Sequence, residues 1–295
     1  EAGIHSGDSA CSLPTHSIKP EIVSTIKEQT RRLARELNVI GLINIQFAVR
    51  GDEIFILEVN PRASRTIPFV SKTTGVPLAK LAALVMAGKT LNELGIIEEA
   101  TVSHIAVKES VFPFNKFDNV DILLGPEMKS TGEVMGIDRS FGMAFAKAQL
   151  ATGISLLGKG SVFISVKDAD KPEALKIAKE FSEYGYAIVA TRGTALYLND
   201  NNLNVTTINK VKEGSPHIVE KIESGGIQFV VNTTFGDQSI KDSYSLRRAS
   251  LNTNIPYYTT IAGSFALLRA LQALKESDMT VTSLQDFGML SAKNL

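Results

Sequence analysis

The stretch Ile40-Gly-Leu-Ile-Asn-Ile-Gln-Phe-Ala-Val49, with Glu53-Ile-Phe-Ile-Leu-Glu-Val59 after it, decides the fold of the first half of this chain. Both runs are rich in apolar and β-branched residues, which favours strands. Between them stands Arg50-Gly-Asp52, a short connection of the kind that glycine permits in a hairpin. The sequence therefore predicts two paired strands joined by a tight turn.

Polar residues recur on one face of this predicted hairpin. Side chains alternate along a strand, so Glu58 and Asn60 share a face, and pairing through the turn brings Gln46 close to Glu58. One carboxylate and two amide oxygens form a hard oxygen set that suits Mg²⁺ or Mn²⁺. Arg62, just beyond the second strand, can fork onto a phosphoryl or carboxylate oxygen. The alternative is an edge strand whose polar residues face water, and isolated residues of these types favour that alternative.

Composition and charge restrict the class of protein. The 295 residues suffice for two ordinary domains, and 44% of them are apolar. Lysine plus arginine (31) equals aspartate plus glutamate (31), which excludes the broad basic surface of a general nucleic-acid binder. No apolar run approaches the roughly 18 residues of a membrane helix, and Glu1-Ala-Gly-Ile-His5 has no signal-peptide pattern. The single cysteine, Cys11, excludes an intrachain disulfide, and we expect a soluble cytoplasmic protein without nucleic-acid or membrane partners.

The second half of the sequence has a different pattern. After the glycine-rich stretch 152–160, short apolar runs such as Val162–Val166 alternate with segments of helical periodicity such as Lys171–Tyr184. Alternation of this kind predicts a doubly wound parallel sheet with helices on both faces. We therefore expect an α/β chain with two domains, 1–153 and 154–295.

Polar residues follow three of the predicted strands in this half: Thr191-Arg-Gly-Thr194, Asn232-Thr-Thr234 and Thr259-Thr260. Ligands of open parallel sheets collect at the carboxyl ends of strands, where N–H groups and hydroxyls at a helix N-terminus can hold a phosphate. Lys171 and Lys210 are available to add positive charge. The alternative is that each threonine or asparagine is an ordinary helix N-cap, and the residues alone leave the two interpretations about equal.

Longer motifs narrow the interpretation of the whole chain. Asn-Ile-Gln-Phe before the hairpin turn and Glu-Val-Asn-Pro-Arg after it resemble the end of an ATP-grasp domain. Three stretches are similar to the large-chain family of carbamoyl-phosphate synthetases. They are Glu58–Lys80, His5-Ser-Gly-Asp-Ser-Ala-Cys11 and Leu124-Gly-Pro-Glu-Met-Lys-Ser-Thr-Gly-Glu-Val-Met135. The resemblance implies the C-terminal part of the second ATP-grasp half, followed by a methylglyoxal-synthase-like regulatory domain.

For the first domain, the resemblance implies ATP-dependent phosphorylation of carbamate to carbamoyl phosphate, in arginine and pyrimidine biosynthesis. It implies ATP as substrate and a divalent metal, Mg²⁺ or Mn²⁺, with K⁺ as a further ion. The residues that it assigns are Gln46, Glu58 and Asn60 to the metal, Arg62 to the transferring phosphate, and His5, Ser6, Gln46 and Glu58 to ATP. The sequence does not contain the N-terminal part of an ATP-grasp domain. We therefore expect that the chain by itself does not catalyse carbamate phosphorylation.

For the second domain, the resemblance implies a site for nucleotide effectors such as UMP or IMP, held through the phosphate. The residues that it assigns to this site are Lys171, Thr191, Thr194, Lys210, Asn232, Thr234 and Ser243. Methylglyoxal synthase itself uses an aspartate and histidine set, whereas the segment 233–253 has Asp237 and Asp242 but no histidine. We therefore expect binding without synthase activity.

The resemblance also implies an ornithine-type effector site at the junction of the domains. The residues assigned to it are Asp8, Glu109, Tyr257 and Thr259. Carboxylates that face an ammonium group make physical sense, but Asp8 and Glu109 can equally be ordinary surface or loop-capping acids.

Two protein partners are implied by the resemblance, the remainder of the large chain and a small glutaminase chain. The alternative function is a free-standing phosphate-effector module that carries an ATP-grasp remnant.

Overall fold

Two compact units make up the chain. The computed structural model describes residues 3–96, 98–117, 120–234 and 236–287. The first unit comprises Glu1–Ser110, Leu124–Phe141 and Thr280–Leu295, and the second comprises Val111–Leu123 and Gly142–Met279. The chain therefore passes between the units more than once. We call residues 111–123 the excursion segment, because they belong to the second unit while the chain on both sides of them belongs to the first.

The first unit contains a small sheet, a hairpin and helices. Its strands are β1 (Cys11–Leu13), β2 (Asn44–Arg50), β3 (Glu53–Asn60), β4 (Ile105–Val111) and β5 (Gly132–Asp138), and its helices are α1 (Pro20–Glu36), α2 (Ile67–Thr74) and α3 (Leu78–Met86). The sheet has the order β1-β4-β5, while β2 and β3 pair as an antiparallel hairpin. The predicted hairpin is therefore confirmed.

Local signals explain where some of these helices begin and end. Pro20 occupies the first turn of α1, where its fixed φ suits a helix, and Asn38 just beyond the end has a φ of +48°. The sequence pattern does not reveal α2, because Ile67–Thr74 is short and rich in β-branched residues. In the described part of the chain, no single helix is long and apolar enough to cross a membrane. By length and composition, α2 and α3 pass that test only as a pair, with a bend of 110° between them.

The second unit is a parallel sheet with helices between its strands. The strands are β6 (Ser161–Ser165), β7 (Ala187–Ala190), β8 (Val205–Thr207), β9 (Phe229–Asn232) and β10 (Tyr257–Tyr258). The helices are α4 (Phe141–Ala151), α5 (Lys171–Glu183), α6 (Arg192–Asp200), α7 (Ile218–Glu223), α8 (Asp237–Asp242), α9 (Tyr244–Asn252) and α10 (Ile261–Glu276). The five strands have the order β10-β9-β6-β7-β8, and every neighbouring pair is parallel. The predicted α/β parallel sheet is confirmed.

Helix α4 packs with the second unit, whereas the sequence predicts the domain boundary after this helix, at residues 153 and 154. The helix approaches α10 closely at Gly142, where a Cβ atom would collide with the carbonyl oxygen of Arg269. Most of its residues are buried, so it is apolar around much of its circumference. A helix of this kind has no distinct polar face, so the sequence does not indicate which unit it packs against.

Apolar side chains fill both faces of the parallel sheet. Phe163 lies on one face, in a buried cluster with Val230 and Leu246. Side chains alternate along a strand, so Phe229 points to the other face, where its ring packs with those of Phe181 and Tyr186. Burial on both faces explains why the strands of this half appear in the sequence as continuous apolar runs.

The strand order predicts a ligand-binding crevice beyond the carboxyl ends of β6 and β9. The chain runs from β6 outward through β7 and β8, and then adds β9 and β10 on the opposite side of β6. In parallel sheets of this kind, ligands bind beyond the carboxyl ends of the two strands where the direction reverses. Those ends are Ser165 in β6 and Asn232 in β9, which are partners in the register.

Candidate functional site

The polar face of the β2–β3 hairpin forms as the sequence predicts. Gln46 stands directly opposite Glu58, and Asn44 stands opposite Asn60. Directly opposite residues of antiparallel strands have Cβ atoms about 4.5–5.5 Å apart, so these four side chains share one small face. The register shifts immediately after Gln46, because β3 carries one residue more than β2 there. Asn44 is an oxygen donor that the sequence analysis missed, although its alternation with Gln46 is the signal that reveals it.

Glu58 is the only carboxylate among these four side chains, and it is exposed. Carboxylate and amide oxygens fit Mg²⁺ or Mn²⁺ when waters and phosphate oxygens complete the coordination shell. No cluster of three or more His, Cys, Asp or Glu side chains occurs in the part of the chain that the structure describes. The donor set therefore suits a metal that arrives with a phosphate ligand better than a metal held by protein alone.

Two arginines follow β3 and differ in their surroundings. Arg62 is exposed, and its Nη1 donates to a neighbouring backbone carbonyl at 3.0 Å. Arg65 reaches a partly buried ion cluster instead, where its Nη1 donates to Oγ of Ser130 at 2.9 Å. Nε of Arg65 lies 3.6 Å from Oε1 of Glu133, and Nζ of the buried Lys108 lies 3.3 Å from the same oxygen. This cluster is not predicted from the sequence, although Arg65 stands inside the stretch Glu58–Lys80.

The opening turn of the chain is held in place by Asp8. Its buried carboxylate accepts the backbone N–H groups of Lys129 at 2.8 Å and Ser130 at 2.9 Å. Burial by itself raises the pKa of Asp8, but hydrogen bonds from Ser130 and Lys129 outweigh it and hold the pKa below its ordinary value. His5 and Ser6 precede Asp8 in the same turn, and Nδ1 of His5 accepts a backbone N–H at 3.0 Å. Asp8 thus anchors the segment that carries both predicted nucleotide contacts.

The four residues assigned to an ornithine-type site belong to different units. Asp8 and Glu109 lie in the first unit, on the opening turn and on β4. Tyr257 and Thr259 lie in the second unit, on β10 and immediately after it. Within its own unit, the carboxylate of Asp8 already accepts two N–H groups. The ornithine-type assignment stays a prediction.

Side-chain hydrogen bonds join the carboxyl ends of three neighbouring strands in the second unit. The loop after β6 lies at the centre of this arrangement, and residues from the ends of β7 and β9 bond to it. The three contacts are Ser165 Oγ with Thr191 Oγ1 (2.9 Å), Val166 N–H with Thr194 Oγ1 (3.2 Å) and Lys167 N–H with Thr233 Oγ1 (3.1 Å). The structure therefore brings predicted residues from separate strands together in the crevice.

These hydrogen bonds distinguish the binding interpretation from the N-cap interpretation. Thr260 is a true N-cap, because its Oγ1 accepts the N–H of Gly263 at 3.0 Å at the start of α10. Thr191 precedes α6 but makes no side-chain capping bond, and its hydroxyl contacts Ser165 instead. Thr233 lies inside the predicted stretch Asn232-Thr-Thr234, whereas Ser165 is not among the residues predicted from the sequence. Ser165 follows an apolar run just as Thr191 does, so the same signal reveals it.

Lys171 brings positive charge to the first turn of α6. Its Nζ lies 2.8 Å from Oδ1 of Asp168 and 6.0 Å from the centre of the Tyr197 ring. A Cβ atom added to Gly193 would lie 4.0 Å from this Nζ, so the ammonium group stands beside the start of the helix. Only 19% of the lysine side chain is exposed. An anion at this place would meet both a cation and the N–H groups of a helix N-terminus.

The remaining residues assigned to the effector site lie on loops. Thr234 follows β9, Lys210 begins the turn after β8, and Ser243 joins α8 to α9. Nζ of Lys212 lies 2.5 Å from Oδ1 of Asp242, and this hydrogen-bonded pairing lowers the pKa of Asp242. The loop after β8 is therefore tied to the end of α8, which keeps Lys210 and Ser243 on connected loops.

A chain of partly buried contacts leads from Asn232 to the excursion segment. Nδ2 of Asn232 donates to the hydroxyl of Tyr257 at 2.6 Å, and burial raises the pKa of that hydroxyl. The guanidinium of Arg247 interacts electrostatically with the same hydroxyl and forks onto Asp121, with Nε to Oδ1 at 2.7 Å and Nη2 to Oδ2 at 2.5 Å. This pair is not predictable from sequence pattern, because Arg247 and Asp121 are 126 residues apart and no local signal connects them.

Known proteins were compared with the chain on the basis of both sequence and structure. Residues 2–94 match the family described as "Carbamoyl-phosphate synthase L chain, ATP binding domain", and residues 173–259 match the family described as "MGS-like domain". The carbamoyl phosphate synthase large chain of Myxococcus xanthus is 54% identical over 287 residues, which is 97% of this chain and 26% of that protein. The chain belongs to the carbamoyl phosphate synthase large-chain family. The large chain of Synechocystis sp. is 52% identical over 288 residues, which is 97% of this chain and 27% of that protein.

The chain spans about a quarter of the length of these large-chain relatives and corresponds to a C-terminal portion. A solved structure described as the biotin carboxylase domain of a single-chain bacterial carboxylase matches with a TM-score of 0.40 and 15% identity, over 48% of this chain and 39% of that chain. That likeness is too low to support an argument. The two family matches confirm the predicted fold class, an ATP-grasp portion followed by a methylglyoxal-synthase-like domain. The domain limits and the roles of individual site residues stay predictions.

Proposed function

We propose that the first unit supplies one side of an ATP site at which carbamate is phosphorylated to carbamoyl phosphate, as part of a longer large chain. The observation that supports this most directly is the pairing of Gln46 with Glu58 on the polar face of the hairpin. In this proposal Gln46, Glu58 and Asn60 hold Mg²⁺ or Mn²⁺. The metal, when bound, neutralises the phosphate oxygens during phosphoryl transfer. K⁺ is included as a further ion, with no residue assigned to it.

The chain's own side chains then position the nucleotide. The exposed guanidinium of Arg62 is proposed to fork onto an oxygen of the transferring phosphoryl group. His5 and Ser6, on the turn anchored by Asp8, are proposed to contact the adenine nucleotide. Phosphoryl transfer depends mainly on such positioning and on charge neutralisation. The test is synthesis of carbamoyl phosphate from bicarbonate, ammonia and ATP by the longer chain, with Glu58 intact and substituted.

Exposed apolar residues support the proposal that more chain covers the hairpin. Phe55, Ile56 and Leu57 are consecutive in β3 and are 44%, 47% and 47% exposed. Neighbouring side chains of a strand point to opposite faces, so β3 exposes apolar side chains on both of its faces, and burying them is favourable. We propose that the rest of the large chain packs on β3 and completes the ATP cleft. The 295-residue chain by itself is then expected to synthesise no carbamoyl phosphate.

The second unit, in our proposal, binds a nucleoside monophosphate effector such as UMP or IMP through its phosphate. Three strand ends meet in the crevice beside β6, and Thr191 is not used as a helix cap. Lys171 supplies a cation there, while the lysine and serine on the loops around it, Lys210 and Ser243, are proposed to close the site. Because the proposed ligand is an anion, its affinity should fall as salt concentration rises.

Replacing Lys171 with Met should weaken UMP binding by roughly ten- to over a hundredfold. The substitution removes one charge-assisted contact, which contributes about 1.5–3 kcal/mol. Lys176→Met is the matched control, since Lys176 lies in the same helix and pairs with Glu173 at 2.7 Å much as Lys171 pairs with Asp168. The measurement is calorimetric titration of both variants with UMP. Equal affinities for the two variants would remove Lys171 from the site.

Further partners belong to the same proposal. A small glutaminase chain is proposed to associate with the longer large chain and supply ammonia in the cytoplasm. An ornithine-type amino acid is proposed as a second effector through Asp8, Glu109, Tyr257 and Thr259. These proposals derive from the family relationship, and co-purification of the longer chain with its small partner, or an ornithine titration, tests each one.

A further inference from the structure

Arg247 occupies an unusual position in the second unit. Its side chain is only 3% exposed, yet its guanidinium contacts three separate parts of the fold. Nε and Nη2 hold both carboxylate oxygens of Asp121 in the excursion segment. Nη1 donates to the carbonyl of Ile240 in α8 at 3.0 Å, and the guanidinium also interacts electrostatically with the hydroxyl of Tyr257 in β10. One buried cation thus connects the excursion segment, the helix before Ser243, and the strand next to β9.

We infer that Arg247 is a positioning residue of the proposed phosphate site, and that it couples occupation of that site to the excursion segment. The inference rests on the proposed effector function. Its physical basis is a continuous set of contacts: Asn232 hydrogen-bonds Tyr257 at 2.6 Å, the Tyr257 hydroxyl interacts electrostatically with Arg247, and Arg247 forks onto Asp121. Asn232 ends β9 at the crevice, so a ligand that fixes its amide also fixes the tyrosine hydroxyl and the guanidinium fork.

The excursion segment links this coupling to the first unit through the covalent chain. Chain connectivity joins it at both ends to the first unit, at Ser110 and at Leu124. A second arginine strengthens the attachment, since Nη1 of Arg248 donates to the carbonyl of Val120 at 3.0 Å. Any ligand that stabilises the contact between Arg247 and Asp121 therefore also stabilises a segment covalently continuous with the proposed catalytic unit. Coupling of this kind is reciprocal, so the intact contact should favour ligand binding by the same factor.

The amide of Leu123 reports directly on this contact, because its N–H donates to Oδ1 of Asp121 at 3.2 Å. We expect saturating UMP to slow hydrogen exchange of this amide in the 295-residue chain by about fivefold or more, the lower end of ordinary coupling between sites. Tyr257→Phe keeps the ring but removes the central hydroxyl, and should abolish the slowing. Tyr186→Phe is the control, because it removes a hydroxyl bonded to the Gly158 carbonyl elsewhere in the unit.

A second variant separates coupling from simple electrostatics. Asp121→Asn removes a negative charge from the second unit, so electrostatics alone would make UMP bind more tightly. Coupling predicts the opposite, a loss of UMP affinity of about fivefold. The inference is overturned if UMP binds the parent without slowing exchange at Leu123, if Tyr257→Phe responds as the parent does, or if Asp121→Asn binds UMP at least as tightly. Absence of UMP binding to the parent at millimolar concentration would instead overturn the effector function itself.

Discussion

A longer large chain that carries Glu58→Gln should lose carbamoyl phosphate synthesis by roughly 10²- to 10⁴-fold, the scale of removing one major electrostatic group from such chemistry. Glu58 is the only carboxylate among the four side chains Asn44, Gln46, Glu58 and Asn60, and it lies opposite Gln46. Its amide replacement keeps the size and an oxygen donor but removes the charge that attracts a divalent metal. Stability should change little, because Glu58 is exposed.

Glu53→Gln is the matched control for this experiment. Glu53 lies in the same strand, is also exposed, and pairs across the hairpin turn with Arg50 at 2.7 Å. It should retain nearly full synthesis from bicarbonate, ammonia and ATP. Near-normal synthesis by Glu58→Gln, or an equal loss in both variants, would contradict the proposed metal role of Glu58.

Replacing Asp121 with Ala should destabilise the second unit by about 3–5 kcal/mol. Removal of one partner of a buried ion pair leaves the other charge buried and unpaired, and that cost is large. The remaining charge would be Arg247, whose side chain is 3% exposed, whereas Asp121 itself is 31% exposed. The loss of stability arises because the buried guanidinium of Arg247 is left without its carboxylate. The loss should therefore exceed that from breaking a surface ion pair.

Native-state hydrogen exchange can measure this loss within the second unit. The N–H of Ile208, just after β8, donates to the carbonyl of Ala190 in β7. The N–H of Val230 in β9 donates to the carbonyl of Pro256. Both amides should exchange roughly 10²- to 4 × 10³-fold faster in Asp121→Ala, since about 1.4 kcal/mol is a factor of ten. Glu173→Ala removes an exposed ion pair from α5 and should change stability by about 0–1 kcal/mol. Equal exchange in the two variants would show that Arg247 does not need Asp121.

Sequence patterns predict the parts of this structure that depend on local signals. The β2–β3 hairpin follows from two apolar runs around a glycine turn, and the opposition of Gln46 and Glu58 follows from strand alternation. The parallel sheet follows from apolar runs that alternate with helical segments. The polar ends of β7 and β9 follow from the same runs, and the structure brings Thr191 and Thr194 to the loop after β6.

Contacts between distant residues were not predictable in the same way. Arg247 and Asp121 are separated by 126 residues, and each looks like an ordinary surface charge in the sequence. Lys108 pairs with Glu133 across 25 residues, and only the fold shows that this lysine is buried. Only hydrogen-bond geometry shows which of these threonines caps a helix. Thr191 and Thr260 both stand between a strand and a helix in the sequence, but only the hydroxyl of Thr260 makes a capping bond.

The most direct test of the phosphate site in the second unit compares UMP with uridine. These ligands differ only in the phosphate, which Lys171 and the strand ends of the crevice are proposed to hold. The 295-residue chain would be titrated with UMP by calorimetry, and the titration repeated in the presence of millimolar uridine. We expect one UMP bound per chain, with an affinity that falls as salt rises and that uridine leaves unchanged. Absence of UMP binding at millimolar concentration, or competition by uridine as effective as by UMP itself, would contradict a site built for phosphate.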